Sequence, residues 1–187
     1  MKHFDIIAPI YNHLFGNYLP TGRWVELLKL PIKGNLLDAA GGTGRVSVHL
    51  IDYVERVFVV DMSSGMLSQT QRKVKTEAVR SNVARLPFRS GSFERIIMVD
   101  ALHHIREQEK TAADLWRVLK KGGILLIEEP DIKAIGVKFI ALLERLLLMR
   151  SHFVTKEGIV KLFQPFPSKI EVQNENGIVW VQVAKTG

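Results

Sequence analysis

The stretch from Asn35 to Val46, N-L-L-D-A-A-G-G-T-G-R-V, leaves the backbone few choices. Leu36 and Leu37 run up to an acid, Asp38, small residues and glycines follow, and an amphipathic run begins at Arg45. That order reads as strand, tight turn and helix start. Gly42 and Gly44 allow positive φ, and they let a ligand approach where a Cβ would clash. A helix opening near Thr43 offers backbone N–H groups and a positive dipole end to an anion, either a phosphate or a carboxylate.

The chain around this turn alternates between two periods. Val57 to Asp61 has the apolar density of a strand buried on both faces, and Ser63 is placed to cap a helix running to about Val74. A weaker strand falls at Ala78 to Asn82. Leu86 to Phe93 is a loop anchored by Phe88 and Phe93, followed by a strand at Arg95 to Asp100, a helix near Glu107 to Leu119, a Lys120-Lys121-Gly122-Gly123 turn and a strand at Ile124 to Glu128. Strands and helices alternating at this spacing predict parallel strands joined by right-handed crossovers. The expected fold is therefore α/β, a doubly wound Rossmann-like sheet with helices on both faces. Ligands in such sheets sit beyond the carboxyl ends of the strands, where Asp38, Asp61, Asn82, Asp100 and Glu129 all fall.

The flanks differ. Phe4 to Tyr18 carries apolar residues at helical spacing and predicts a short amphipathic helix, and Trp24 to Leu30 predicts a second, stopped by Pro31. Arg45 to Ile51 is expected to be helical. Ala134 to Met149 is apolar around nearly its whole circumference, with Lys138 and Arg145 on one narrow polar stripe, so it is expected to be buried or to cover an apolar ligand. Thr155 to Phe163 reads as a helix. Alternation from Lys169 to Gln173, the turn Asn174-Glu175-Asn176-Gly177 and the run Ile178 to Val183 predict a hairpin that ends the sheet antiparallel. The expected organisation is one domain over residues 1–187: a helical cover at 1–33, a ligand-binding core at 34–130, and an apolar helix, a further helix and a hairpin at 131–187.

Composition bounds the chemistry. With 187 residues and 47% hydrophobic content, one core can bury about 70% of the unfolded surface. The absence of cysteine excludes disulfides, thiolate zinc sites and cysteine nucleophiles, and no metal site is expected. The opening residues lack an apolar signal core, and no apolar run approaches the roughly 18 residues of a membrane span. A cytoplasmic protein is expected. The net charge of +7 favours nucleic acid, anionic lipid or an acidic substrate without choosing among them. The basic residues from Arg72 to Arg89 read as a solvated face.

The glycine turn alone is weak. A nicotinamide-dinucleotide fold wants a third glycine where Ser47 stands. Four motifs together, L-L-D-A-A-G-G-T-G-R, V-V-D-M-S-S-G-M-L, N-V-A-R-L-P-F-R-S-G-S-F and R-V-L-K-K-G-G-I-L-L-I, resemble class I S-adenosylmethionine-dependent methyltransferases of the small-molecule type over roughly residues 35 to 129. The A-G-G-T-G turn and the opening Phe4, Asp5, Ala8 and Tyr11 are most similar to the C-methyltransferases of ubiquinone and menaquinone biosynthesis. Asn12 departs from that pattern, and the region beyond Asp131 does not match it.

The resemblance implies S-adenosylmethionine as cofactor and S-adenosylhomocysteine as product. It implies that Gly42 and Gly44 receive the methionine carboxylate with Ala40 and Gly41 also in the cofactor site, that Asp38 orients the ammonium, and that Asp61 accepts from the ribose hydroxyls. Met62 covers the adenine, Asn82 and the Val83 backbone read its edge, Tyr11 closes the site, and Asp100 completes the cofactor set. If the acceptor is a phenolic ring, His103 or His104 is the candidate base. The acceptor is expected to be small and apolar, such as a quinone precursor. Two segments, Phe4 to Tyr18 and Ala134 to Met149, form the expected hydrophobic cover, with Lys138, Arg145 and Arg150 facing an anionic membrane surface peripherally. Nucleic acid is the disfavoured partner, because Val99-Asp100-Ala101-Leu102 stands where RNA-modifying relatives carry an N-P-P-Y-like tetrapeptide. The remaining alternative is a non-catalytic cofactor-binding module that meets a partner through its apolar tail.

Overall fold

The computed structural model describes residues 20–70, 76–131 and 154–187. Within them one sheet of seven strands forms, in the order β3-β2-β1-β4-β5-β7-β6. The strands are β1 Asn35–Ala39, β2 Arg56–Asp61, β3 Thr76–Arg80, β4 Phe93–Val99, β5 Leu119–Pro130, β6 Ser168–Glu175 and β7 Ile178–Lys185. The helices are α1 Thr21–Leu27, α2 Ser64–Thr70, α3 Gln108–Val118 and α4 Lys156–Phe163. Pairs β1–β2, β2–β3, β1–β4 and β4–β5 are parallel, and β5–β7 and β6–β7 antiparallel. The chain winds one way from β1 to β3 and the other way from β4 onward, so the switch point lies between β1 and β4. The doubly wound fold with an antiparallel hairpin end matches the expectation.

Both faces of the sheet are covered. Alternate residues of β1 separate the two cores: Leu37 and Ala39 join Ala112, Leu115, Ile159 and Phe163 of α3 and α4 on one face. Leu36 joins Trp24 and Leu27 of α1, Leu67 of α2 and Trp180 on the other. The loop anchors behave as expected. Phe58, Phe88 and Phe93 meet edge to face with centroids 4.8 to 5.7 Å apart, and Arg117 donates to the Phe88 and Leu86 carbonyls at 2.6 and 3.0 Å.

Local signals explain most element ends. Ser63 caps α2 as expected, its hydroxyl accepting from Met66 N–H at 3.1 Å, and Thr155 caps α4 by accepting from Gly158 N–H at 3.2 Å. Asn176 and Gly177, at φ 52° and 78°, make the two-residue hairpin turn that needs positive φ at both central positions. The second strand of that hairpin, β7, is the one that joins β5.

Four expectations are corrected. Arg45 to Ile51 is not an α-helix but two 3-10 turns, Ser47–His49 and Ile51–Tyr53. One i→i−4 bond, Val48 N–H to the Gly44 carbonyl at 3.2 Å, forms before the chain tightens into i→i−3 bonds from His49 and Leu50. Helix α1 ends at Leu27, before Leu30, because Lys29 at φ 51° lets Leu30 N–H reach the Val25 carbonyl and Lys29 N–H the Glu26 carbonyl, a Schellman closure. The third strand lies two residues earlier than expected, at Thr76–Arg80. Lys120 to Gly123 is a bulged part of β5, where the register to β4 shifts between Phe93 and Arg95. The expected segments Phe4 to Tyr18 and Ala134 to Met149, with Tyr11, lie outside the described residues. Among the described residues no helix is long and apolar enough to cross a membrane.

Candidate functional site

The glycine turn is built as a left-handed crest. Ala40, Gly42 and Gly44 stand at φ 57°, 55° and 67°, a sequence of positive values that β-carbons oppose. Gly41 is required for a different reason: a Cβ there would lie 2.4 Å from the Asp38 carboxyl carbon. Asp38 is 1% exposed and accepts from the Ser47 hydroxyl at 2.5 Å. The acid expected to orient an ammonium is therefore a buried buttress beneath the turn. Ser47, the residue that denies the third-glycine fingerprint, is what holds it. The expected helix dipole is missing, because only short 3-10 turns follow. The N–H groups of Gly41, Gly42 and Gly44 are engaged within the protein, by the Val60 carbonyl, the Asp61 carboxylate and the Gly41 carbonyl.

The end of β2 lies across from this crest. Asp61 accepts from Gly42 N–H at 3.1 Å and from Ser63 N–H at 2.8 Å, so the acid expected to meet ribose hydroxyls lies directly beside the turn expected to meet the carboxylate. Met62 is 37% exposed, free to lie on a flat ligand. Beyond β3, Asn82 makes an Asx turn, its side-chain oxygen accepting from Ala84 N–H at 2.9 Å. Val83 has its side chain in the core at 6% exposure, so only its backbone can face a ligand.

The ends of β4 and β5 carry a denser set of charges. Asp100, at φ 50°, accepts from the Arg45 guanidinium at 2.6 Å. Glu129 accepts from Ala101 N–H at 3.0 Å and Leu102 N–H at 2.7 Å, and its second oxygen lies 2.5 Å from His103 Nδ1. His103 is 2% exposed. A carboxylate on Nδ1 fixes the ring and directs its chemistry to Nε2.

The two histidines, expected as interchangeable candidates, are not equivalent. His104 packs on His103 with ring centroids 4.0 Å apart, and burial, then the neighbouring imidazole, push it down to about 3 from the ordinary 6.5. So weak a base cannot take a proton usefully near neutral pH.

That depressed value has a stability consequence. A base protonated more readily unfolded than folded stabilises the fold above pH 6.5, and the contribution is lost as pH falls towards 3. At pH 5 the loss reaches about 2 kcal/mol. Urea titrations of His104→Gln at pH 7 and pH 5 are expected to show a shallower acid loss than the parent by about that amount. Equal slopes would show that His104 does not carry it.

The structure thus gathers Ala40, Gly41, Gly42, Gly44, Asp61, Met62 and Asp100 around the switch point. It sets Asp38 and the Val83 side chain beneath the surface and gives Asn82 a local turn role. Arg45 and Glu129 are the residues that sequence reasoning did not assign. Arg45 was visible as the only cation of the glycine stretch, and Glu129 as an acid at a strand end. Their partners, 55 and 26 residues away, were not.

The chain is similar to several known proteins. A family model described as "Methyltransferase domain" matches residues 37–127. The chain is 30% identical over 136 residues to the ubiquinone/menaquinone biosynthesis C-methyltransferase UbiE of Klebsiella pneumoniae, across 66% of this chain and 54% of that protein. It is 31% identical over 134 residues to the demethylmenaquinone methyltransferase of Renibacterium salmoninarum, across 67% of this chain and 56% of that protein. The chain therefore spans about half the length of the curated relatives it matches. Among solved structures, the cyclase SpnF superposes with a TM-score of 0.82 at 13% identity, over 99% of this chain and 94% of that one, which speaks for the fold alone. Residues 37–127 thus match a methyltransferase domain, and the four motifs and the strand order are those of the class I S-adenosylmethionine-dependent methyltransferases.

Proposed function

We propose that the chain transfers a methyl group from S-adenosylmethionine to a small, apolar acceptor of the quinone-precursor kind. The observation that supports this most is the meeting of Asp61 with the left-handed glycine turn, since Gly42 N–H and the Asp61 carboxylate are 3.1 Å apart. A ligand with hydroxyls can reach the carboxylate there, where the glycines leave the backbone open to close approach. The apolar acceptor is supported by the likeness to the two quinone-pathway relatives.

The cofactor, when bound, supplies an electrophilic methyl group on a sulfonium. The residues of the chain do the rest. The glycine turn lets the cofactor approach the backbone closely, Asp61 anchors the ribose, and Met62 covers the adenine while the Val83 backbone lines its edge. Holding donor and acceptor in line supplies most of the acceleration in such a displacement. Where the acceptor is a phenol, His103 backed by Glu129 takes its proton, because the carboxylate stabilises the imidazolium that forms.

The test is calorimetry with S-adenosylmethionine, S-adenosylhomocysteine and NAD, followed by transfer of a labelled methyl group to demethylated quinone precursors. Binding of NAD in place of the first two would overturn the reading. Asp61→Ala is expected to weaken S-adenosylhomocysteine by roughly tenfold or more, since each charge-assisted hydrogen bond is worth about 1.5–3 kcal/mol before solvent competition. Unchanged affinity would remove Asp61 from the site.

A further inference from the structure

The hairpin leaves one edge of the sheet open. Among the described residues β6 has a neighbour on one side only, β7. Which of its backbone groups face outward follows from the register. Thr186 N–H donates to the Pro167 carbonyl at 3.0 Å, and Glu175 stands opposite Ile178 across the two-residue turn. Hydrogen-bonded pairs recur at every second position of an antiparallel ladder, so Lys169, Glu171, Gln173 and Glu175 bond to β7. Ser168, Ile170, Val172 and Asn174 direct their N–H and C=O groups the other way, a row that a further strand can use.

The two faces of this edge differ. On the α4 face Ile170 packs against the core, while Val172 stays 39% exposed beside a groove of about 440 Å³ that Val160 of α4 also lines. On the α1 face Arg23 donates to the Gln173 and Glu175 side chains, and Lys169 meets Glu171 at 2.7 Å. No proline lies within Ser168–Glu175, and the centre of the outward row is apolar. The edge lacks the usual devices against strand addition along its middle.

Two copies of the edge fit each other in one register. Antiparallel pairing sets outward residues against outward residues, which leaves few two-fold arrangements. An axis at Glu171 sets that acid against its own copy, and an axis at Gln173 sets Glu171 against Glu175; like charges directly opposite resist pairing. An axis at Ile170 overlaps only residues 168–172 of the strand, and one at Asn174 only 173–175. An axis at Val172 overlaps residues 169–175. It sets Lys169 against Glu175 and Glu171 against Gln173, each twice, and brings the two exposed valines together.

We propose that β6 is the self-association edge of this chain: a second copy adds its β6 antiparallel with Val172 on the two-fold axis. The two seven-stranded sheets become one continuous sheet. Both α4 helices lie on the same face of it, and the groove beside each Val172 is covered.

Sedimentation velocity of the full chain from about 1 to 200 µM tests this, with a monomer–dimer equilibrium of micromolar Kd as the expected result. Val172→Pro removes an outward N–H and leaves the β6–β7 ladder intact, so it is expected to weaken the dimer about a hundredfold or more. Lys169→Glu sets acid against the partner's Glu175 at both ends, for a loss of about tenfold. Adding Glu175→Lys to it reverses the pair and is expected to recover most of that loss. Hydrogen exchange reads the register: the N–H groups of Ile170, Val172 and Asn174 gain protection as concentration rises, while those of Lys169 and Glu171 are protected throughout. Unchanged melting temperatures separate loss of the dimer from loss of the fold, and should Val172→Pro not fold, the charge variants decide. A parent that stays monomeric at about 200 µM overturns the proposal. Protected edge amides in such a monomer would mean that another part of the same chain covers β6. A dimer that both Val172→Pro and Lys169→Glu leave intact uses another face and overturns it equally.

Discussion

Replacing Glu129 by alanine is expected to cost the fold about 3–5 kcal/mol, a large share of the roughly 5–15 kcal/mol that holds a domain together. The carboxylate serves three groups at once: Ala101 N–H and Leu102 N–H on one oxygen, and His103 Nδ1 on the other. Glu129 is 3% exposed and His103 2%, so water cannot readily replace it. Each buried donor left without a partner costs about 1–3 kcal/mol. The three share one acceptor and relax together, which keeps the sum towards the low end. Glu129→Gln separates structure from chemistry. Its amide oxygen can still receive the two backbone N–H groups, and its NH₂ can meet the imidazole, so most of the stability should remain. It cannot stabilise an imidazolium. If His103 takes a proton from the acceptor, Glu129→Gln should lower kcat by about a hundredfold or more while leaving the Kd of S-adenosylhomocysteine unchanged. A kcat for Glu129→Gln within a few-fold of the parent would leave Glu129 a purely structural acid.

This hub also marks the limit of what could be read from the chain of letters. Most strands, the Ser63 cap, the helix from Thr155 and the Asn176-Gly177 turn were legible because each rests on local sequence signals. The doubly wound arrangement was legible because strand-helix alternation leaves few topologies. The charge network was not, since Glu129 and His103 are 26 residues apart, and Glu128 and Trp24 104 apart. Sequence order placed His103 and His104 side by side as equal candidates. Burial made one the partner of a carboxylate and the other a very weak base. The motif likewise marked Asp38 and Asp100 as acids at strand ends, and only packing shows that the first lies under the turn and the second faces the crevice.

The neighbouring acid on β5 should respond to substitution in the opposite sense. Glu128 points to the other face of the sheet, where one oxygen, Oε2, accepts from the indole N–H of Trp24 at 2.5 Å and of Trp180 at 2.8 Å. It thereby ties α1 and β7 to β5. Burial pushes its carboxyl above the ordinary 4.5, with the two indoles opposing that shift and the Asp100 charge adding to it. A raised acid favours the folded state below pH 4.5, where it is protonated in both states. That contribution is lost as pH rises through the folded value, because the buried group must then carry a charge. Glu128→Gln keeps an acceptor oxygen for both indoles and removes that charge. Its stability is therefore expected to equal or exceed the parent's at pH 8, with the advantage vanishing near pH 4. Glu128→Ala strands two buried indole N–H groups and opens a void between Trp24 and Trp180, for an expected loss of about 3–5 kcal/mol at every pH. Urea denaturation of both variants at pH 4 and pH 8 decides the matter. Were Glu128→Gln as destabilised as Glu128→Ala at pH 8, the charge itself would be what the two tryptophans require, and the burial argument would be wrong.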